Sequence, residues 1–148
     1  MNSFRLILAT VLMASLIAFV PAAQANERAS IISAANQFYA SISPGQDAAS
    51  MQAKMDGLLA PEAQIEVQDL GVTQTRSEFV ESLDNWYDAI SGGFVAHKIE
   101  EAASNNVTVL VCYNFGDNAM TTREILTVEA AMISKAVQTK IADDCTDF

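Results

Sequence analysis

The sequence predicts an α+β domain in which three helices from its N-terminal half cover one face of a curved antiparallel or mixed β-sheet. Two patterns predict this class. Apolar residues recur at helical spacing in three segments before residue 91. From Phe94 onward they alternate with period two, the mark of strands. Helices followed by a meander of strands place the helices on one side of the sheet.

A leader precedes the domain. Residues 1–25 contain one charge, Arg5, an apolar run from Leu6 to Val20, and the small-residue site Ala23-Gln24-Ala25 after Pro21. This is the pattern of a secretory signal peptide cleaved after Ala25; the run is shorter than the roughly 20 apolar residues of a membrane span. An uncleaved N-terminal anchor is the alternative. Neither cysteine directly follows the cleavage site, so no lipid anchor is expected.

Removing 25 of the 148 residues leaves a single expected domain, 26–148, with 7 basic and 18 acidic side chains. That acidity argues against binding to nucleic acid or to an anionic membrane face, which needs clustered Lys and Arg.

Along this domain the first helix runs from about Glu27 to Ser41, with Ile31, Ile32, Ala35, Phe38, Tyr39 and Ile42 on its apolar face. Ser43-Pro44-Gly45 stops it. A second helix, about Gln46 to Leu59, groups Met51, Met55, Leu58 and Leu59 and ends before Pro61. Ala63, Ile65 and Val67 then alternate with Gln64, Glu66 and Gln68 as in a half-buried strand. Thr75-Arg76-Ser77-Glu78 has the spacing of a capping box and opens a third helix carrying Phe79, Val80, Leu83, Trp86, Tyr87 and Ile90. Gly92-Gly93 ends it. Four strands follow, at Phe94–Glu101, Val107–Phe115, Arg123–Ile133 and Ala136–Asp143, with turns at Asn105-Asn106, Gly116-Asp117-Asn118 and Ser134-Lys135. Val107–Phe115 is apolar on both parities, so it belongs inside the sheet.

Leu58-Leu59-Ala60-Pro61-Glu62-Ala63-Gln64-Ile65-Glu66, Arg76-Ser77-Glu78-Phe79, Phe94-Val95-Ala96-His97 and Thr139-Lys140-Ile141-Ala142-Asp143, in this order of elements, resemble segments of the nuclear transport factor 2-like domains of the polyketide-cyclase/ketosteroid-isomerase type. The resemblance implies a cone-shaped domain with a pocket between the concave sheet face and the helices, often dimeric through the outer face. It identifies a fold more securely than an activity, because one fold hosts many functions.

Asp69 continues the parity of Ala63, Ile65 and Val67. On a regular strand its carboxylate faces the apolar side, where a raised pKa suits a general base; Gly71 makes a turn aspartate the alternative. In the resembled isomerases an aspartate after the first strand has that role, although their following proline is Leu70 here. The resemblance likewise implies that Tyr39 donates its hydroxyl to a ligand carbonyl. No Asp or Glu lies between Val107 and Phe115 to match the isomerases' second donor, leaving Asn114 as the polar candidate. His97, the single histidine, is a candidate acid or base near neutral pH, but one histidine forms no histidine-based metal cluster, so no metal is expected. Phe38 and Trp86 are candidate pocket residues, or core aromatics.

Cys112 and Cys145 are disulfide candidates in an oxidising compartment. In the resembled strand order they flank the Arg123–Ile133 strand, about 9.6 Å apart across two strand spacings, beyond the roughly 7 Å limit for a bridge. A disulfide therefore requires the last strand to end before Cys145 and the tail to fold back; two free thiols are the alternative.

These readings lead to a periplasmic protein that binds a small apolar molecule without a cofactor. Two alternatives differ in class: a cofactor-independent isomerase, cyclase or dehydratase with Asp69 as base and Tyr39 or His97 as partner, and an interaction module dimerising through its sheet.

Overall fold

A computed structural model describes residues 22–146 and 148. Residues 1–21 of the expected leader lie outside the described residues, and Ala22–Ala25 form the exposed first turn of helix α1, Ala22–Ile42. Next come α2, Ala48–Leu58, strand β1, Leu59–Val67, a 3₁₀ turn, Gln68–Leu70, β2, Val72–Thr75, and α3, Arg76–Ile90. Four strands complete the chain: β3, Phe94–Ala103, β4, Asn106–Asn114, β5, Ala119–Glu129, and β6, Met132–Ala142.

The six strands form one mixed sheet in the order β2-β1-β6-β5-β4-β3. β1 runs parallel to β6, and the other neighbours are antiparallel. Parallel pairing needs a long crossover, which α3 and the β3–β5 meander supply. β4 lies inside the sheet, as its two apolar faces require. The short strand β2 is absent from the sequence reading, since Val72-Thr73-Gln74-Thr75 has no alternation of apolar residues to reveal it.

Strand parity places Ala63, Ile65, Val107, Val109, Val111, Leu126 and Ala136 on the inner face, where they meet Ile31, Ala35, Phe38, Tyr39 and Ile42 of α1 and Leu83 and Ile90 of α3 in one core. The expected apolar stripe of α1 is its buried face apart from the half-buried Ile32, whereas in α3 Leu83 and Ile90 are buried, Phe79, Val80 and Trp86 are half-buried, and Tyr87 is exposed. α3 begins at the expected capping box: Thr75 Oγ1 accepts from the Glu78 amide, and Glu78 Oε2 accepts from the Thr75 amide at 2.8 Å. At its far end Gly92 takes φ +80°, while Gly93 lets the entry of β3 pass against the Asn114 carbonyl, 1.8 Å from where a Cβ would stand.

The β5–β6 connection corrects the expected turn. Glu129 pairs with Met132, so the turn residues are Ala130 and Ala131, both left-handed at φ 50° and 65°, and Ser134-Lys135 lies within β6. A two-residue hairpin turn with both residues left-handed favours Asn-Gly. Two alanines give no such signal, which is why the boundary was displaced.

β6 ends at Ala142 and the tail folds back, joining Cys145 to Cys112 with their Cα atoms 5.5 Å apart. This is the geometry a bridge required, and it decides between the two expected cysteine states. Cys112 faces the outer side of β4, and Thr121 Oγ1 on neighbouring β5 holds the tail by donating to the Asp144 carbonyl.

Alkylation without reductant is expected to leave the mass unchanged and to add two groups after reduction. Closing 33 residues of chain stabilises the fold by about 3 to 4 kcal/mol on a chain-entropy basis, so the Cys112→Ser/Cys145→Ser pair should show that loss in urea titrations. Replacing the turn by Ala130→Asn with Ala131→Gly should raise stability by about 1 kcal/mol, because alanine is disfavoured in the left-handed region; the shift of the urea midpoint measures it.

Candidate functional site

A cavity of about 190 Å³ lies between the inner sheet face and helices α1 and α3. Phe38 and Ile42 of α1 and Phe79, Ser82, Leu83 and Trp86 of α3 form its helical wall. The sheet contributes Ile65 and Val67 from β1, Gln74 from β2, Tyr113 from β4, Met120 and Glu124 from β5, and Ala136 and Gln138 from β6. The helical spacing of α3 accounts for its share: positions 79, 82, 83 and 86 occupy one face. Trp86 is fixed at both ends of its indole. Its Nε1 donates to the Ile42 carbonyl at 2.7 Å, and its ring meets Tyr113 edge-on at 5.4 Å.

The chemical centre of the cavity is Glu124, 3% exposed. Tyr39 Oη donates to Oε2 at 3.0 Å, while Tyr113 Oη and Thr122 Oγ1 donate to Oε1 at 2.7 and 2.8 Å. The Gln138 side chain is a fourth hydrogen-bond partner. These donors come from α1, β4, β5 and β6, so one carboxyl gathers four elements. Burial pushes its pKa above the ordinary 4.5, and the four hydrogen bonds oppose that shift without cancelling it. Tyr39 and Tyr113 are raised well above the ordinary phenol value, first by burial and then by the Glu124 charge. Both phenols thus remain protonated donors across the neutral range. A carboxyl in this position can keep a proton next to an apolar molecule, or lose it and offer a buried negative charge.

The expected site residues divide. Phe38 and Trp86 line the cavity. Tyr39 reaches it through Glu124: its hydroxyl is committed to that carboxyl instead of being free for a ligand carbonyl. Asp69 does not face the cavity. The strand ends at Val67, and the 3₁₀ turn rotates Asp69 to the surface, where Oδ2 accepts from the Lys140 amide at 2.5 Å. The strand stops two residues short of Asp69, which breaks the alternation and leaves Asp69 out of reach as a general base for the cavity. His97 stands behind the site, its ring stacked on Tyr39 at 4.8 Å and its Nε2 2.9 Å from Asn36 Oδ1. Burial lowers its pKa. Asn114 also lies outside the cavity, because its Oδ1 accepts from the Gly116 amide and shapes the β4–β5 turn.

Glu124, Tyr113, Gln74 and Gln138 were not singled out from the sequence. A signal for Glu124 existed, since it shares parity with Leu126 and Val128 and so falls in phase with a buried face. The acid lies on β5, one strand beyond the Val107–Phe115 segment in which the resemblance implies one.

Stability should record the Glu124 burial. Below pH 4.5 the folded and unfolded chains both hold this proton, and its contribution is whole. As the pH climbs toward the higher folded-state pKa, the unfolded chain ionises first and the contribution is lost. The difference in urea midpoint between the protein and Glu124→Gln should therefore shift against the unmodified protein as pH rises through this window. Glu124→Ala, which strands several buried donors, should cost about 3 kcal/mol or more.

No family model matches the sequence, and no curated protein matches it significantly. Solved structures do resemble it. An NTF2-like protein of unknown function from Mesorhizobium loti is 18% identical over 82% of this chain and 97% of its own, with a TM-score of 0.59. A putative ketosteroid isomerase from Kribbella flavida is 13% identical over 76% of this chain and 78% of its own, with a TM-score of 0.58. A de novo designed protein with a curved β-sheet is 14% identical over 77% of this chain and 87% of its own, at a TM-score of 0.62. With its three helices laid in one concave, open six-stranded sheet, the chain has the nuclear transport factor 2-like fold of the α+β class.

Proposed function

We propose that this protein is exported to the periplasm, released from its leader after Ala25, and binds a small, largely apolar molecule in the cavity between α1, α3 and the sheet. The observation that carries the reading is the cavity itself: an apolar and aromatic space in which one buried carboxyl is held by side chains from four elements. Its size suits a molecule near that of a single substituted ring, since an apolar cavity of about 150 Å³ accepts benzene. The likeness to structures described as ketosteroid-isomerase-like is consistent with a pocket in this place, and the fold alone assigns no reaction.

A second reading concerns the opposite face. Ile125 is 43% exposed on the outer side of β5, beside the half-buried Val137 of β6. A second copy of the chain packing there would cover them. Light scattering on the eluted protein separates monomer from dimer.

Trp86 is the single tryptophan and lines the cavity, so binding is directly visible. Toluene is expected to shift its emission with saturation, and Ser82→Phe, which extends a ring from the α3 wall, should weaken that response at least tenfold with unchanged circular dichroism. Native mass spectrometry of the protein isolated from its own periplasm should show a retained small molecule. An unresponsive Trp86 together with a bare protein mass would sink the reading.

A further inference from the structure

The geometry points to a small alkylammonium as the ligand class of this cavity, with Glu124 as its counter-charge and the aromatic wall as its cage. This rests on the proposed binding function and specifies it.

The first support is a mismatch between hydrogen bonding and charge at Glu124. An ionised carboxylate has about four lone-pair sites, and Tyr39, Tyr113, Thr122 and Gln138 provide four partners. Its hydrogen bonding is therefore satisfied by neutral groups alone. Its charge is not. The ion pairs Arg76–Asp56, Arg123–Glu100, Lys135–Glu66 and Lys140–Asp143 involve partly exposed side chains, and none reaches Glu124. Among the described residues no Lys, Arg or His lines the cavity. A buried carboxylate without a cation is costly, and here the place of the cation is open space.

The second support is the wall facing that space. Phe38 and Phe79 stack at 6.0 Å, and Trp86 stands edge-on to Tyr113. All four rings line the cavity. Cations are attracted to aromatic faces, by about 2 kcal/mol or more when desolvated, and cages of this kind recognise quaternary ammonium groups. An anionic molecule would find no basic group in the cavity and would meet a like charge whenever Glu124 is ionised, so carboxylates and phosphates are disfavoured.

Binding an ammonium would hold Glu124 in its ionised form, and the displaced proton would pass to solvent. The groups facing Glu124 keep this linkage simple. Tyr39 and Tyr113 stay protonated, Thr122 and Gln138 do not titrate, and the α3 wall of Phe79, Ser82, Leu83 and Trp86 brings no charge. His97 stacks on the Tyr39 ring, and its protonation at low pH would repel a cation and not the alcohol; Glu124→Gln, which keeps His97, separates that repulsion from the titration of Glu124.

Choline and 3,3-dimethylbutan-1-ol test the inference, since they share shape and differ by one nitrogen in place of carbon. Measured by Trp86 emission, choline is expected to bind at least tenfold more tightly than the alcohol above the Glu124 pKa. Below it, choline affinity should fall by up to tenfold per pH unit while that of the alcohol stays level. Calorimetry of the unmodified protein in buffers of different ionisation enthalpy should register release of up to one proton per choline bound. In Glu124→Gln the preference should shrink to within about twofold. Equal binding of the two probes by the unmodified protein, or proton-free choline binding below the Glu124 pKa, overturns the ammonium assignment and leaves the binding function standing. Failure of choline, the alcohol and toluene alike overturns both.

Discussion

The buried carboxyl of Glu124 is the constraint around which the interior is arranged. A carboxyl inside an apolar core is tolerated only if its oxygens are satisfied, and here the partners come from a helix and three adjacent strands. Tyr39 must point down from α1, Tyr113 must point up from β4, and β6 must bring Gln138 into register with Glu124. The helix thereby acquires a fixed rotation over the sheet. Apolar packing alone tolerates small slips between layers; hydrogen bonds of 2.7 to 3.0 Å do not.

The same constraint explains why space remains beneath the helices. The Tyr39 phenol reaching from α1 for the Glu124 carboxyl holds the helix away from β5 by the length of a tyrosine side chain, and the region beside it toward β1 and β2 is left for Phe79, Leu83 and Trp86 to line. Trp86 closes the arrangement by bonding to the last carbonyl of α1, so that the two cavity-lining helices are joined at the rim. Polar satisfaction and cavity are thus two results of one geometry.

Much of the fold was legible in the sequence because it was written in periodicity. The stripe through Ile31, Ala35, Phe38 and Ile42, the capping box at Thr75 and Glu78, and the two-sided apolar run of Val107–Tyr113 each have one physical reading. Where the sequence misled, a local event broke the period. The turn at Gln68–Leu70 removed Asp69 from its expected face, and the left-handed alanines at 130 and 131 moved a hairpin by four residues. The site was less legible than the fold, since its chemistry depends on side chains brought together across 85 residues, as Tyr39 and Glu124 are. Parity could mark Glu124 as inward-facing, but only the register of four elements could supply its partners.

The returning tail has a consequence for how the molecule opens. Among the described residues β6 alone joins the β1–β2 pair to the β3–β4–β5 meander, so the sheet would part most naturally along either of its edges. By tying the chain just beyond β6 to β4, the Cys112–Cys145 bond encloses the whole β5–β6 hairpin in a covalent ring. Separation at the β5–β6 edge cannot then proceed as an independent fraying event, because the end of β6 stays beside β4. The enclosed strands are bound into one cooperative unit, and the weaker margin of the sheet is left on the other side, where β1 and the short β2 are held by packing and hydrogen bonds without a covalent tie.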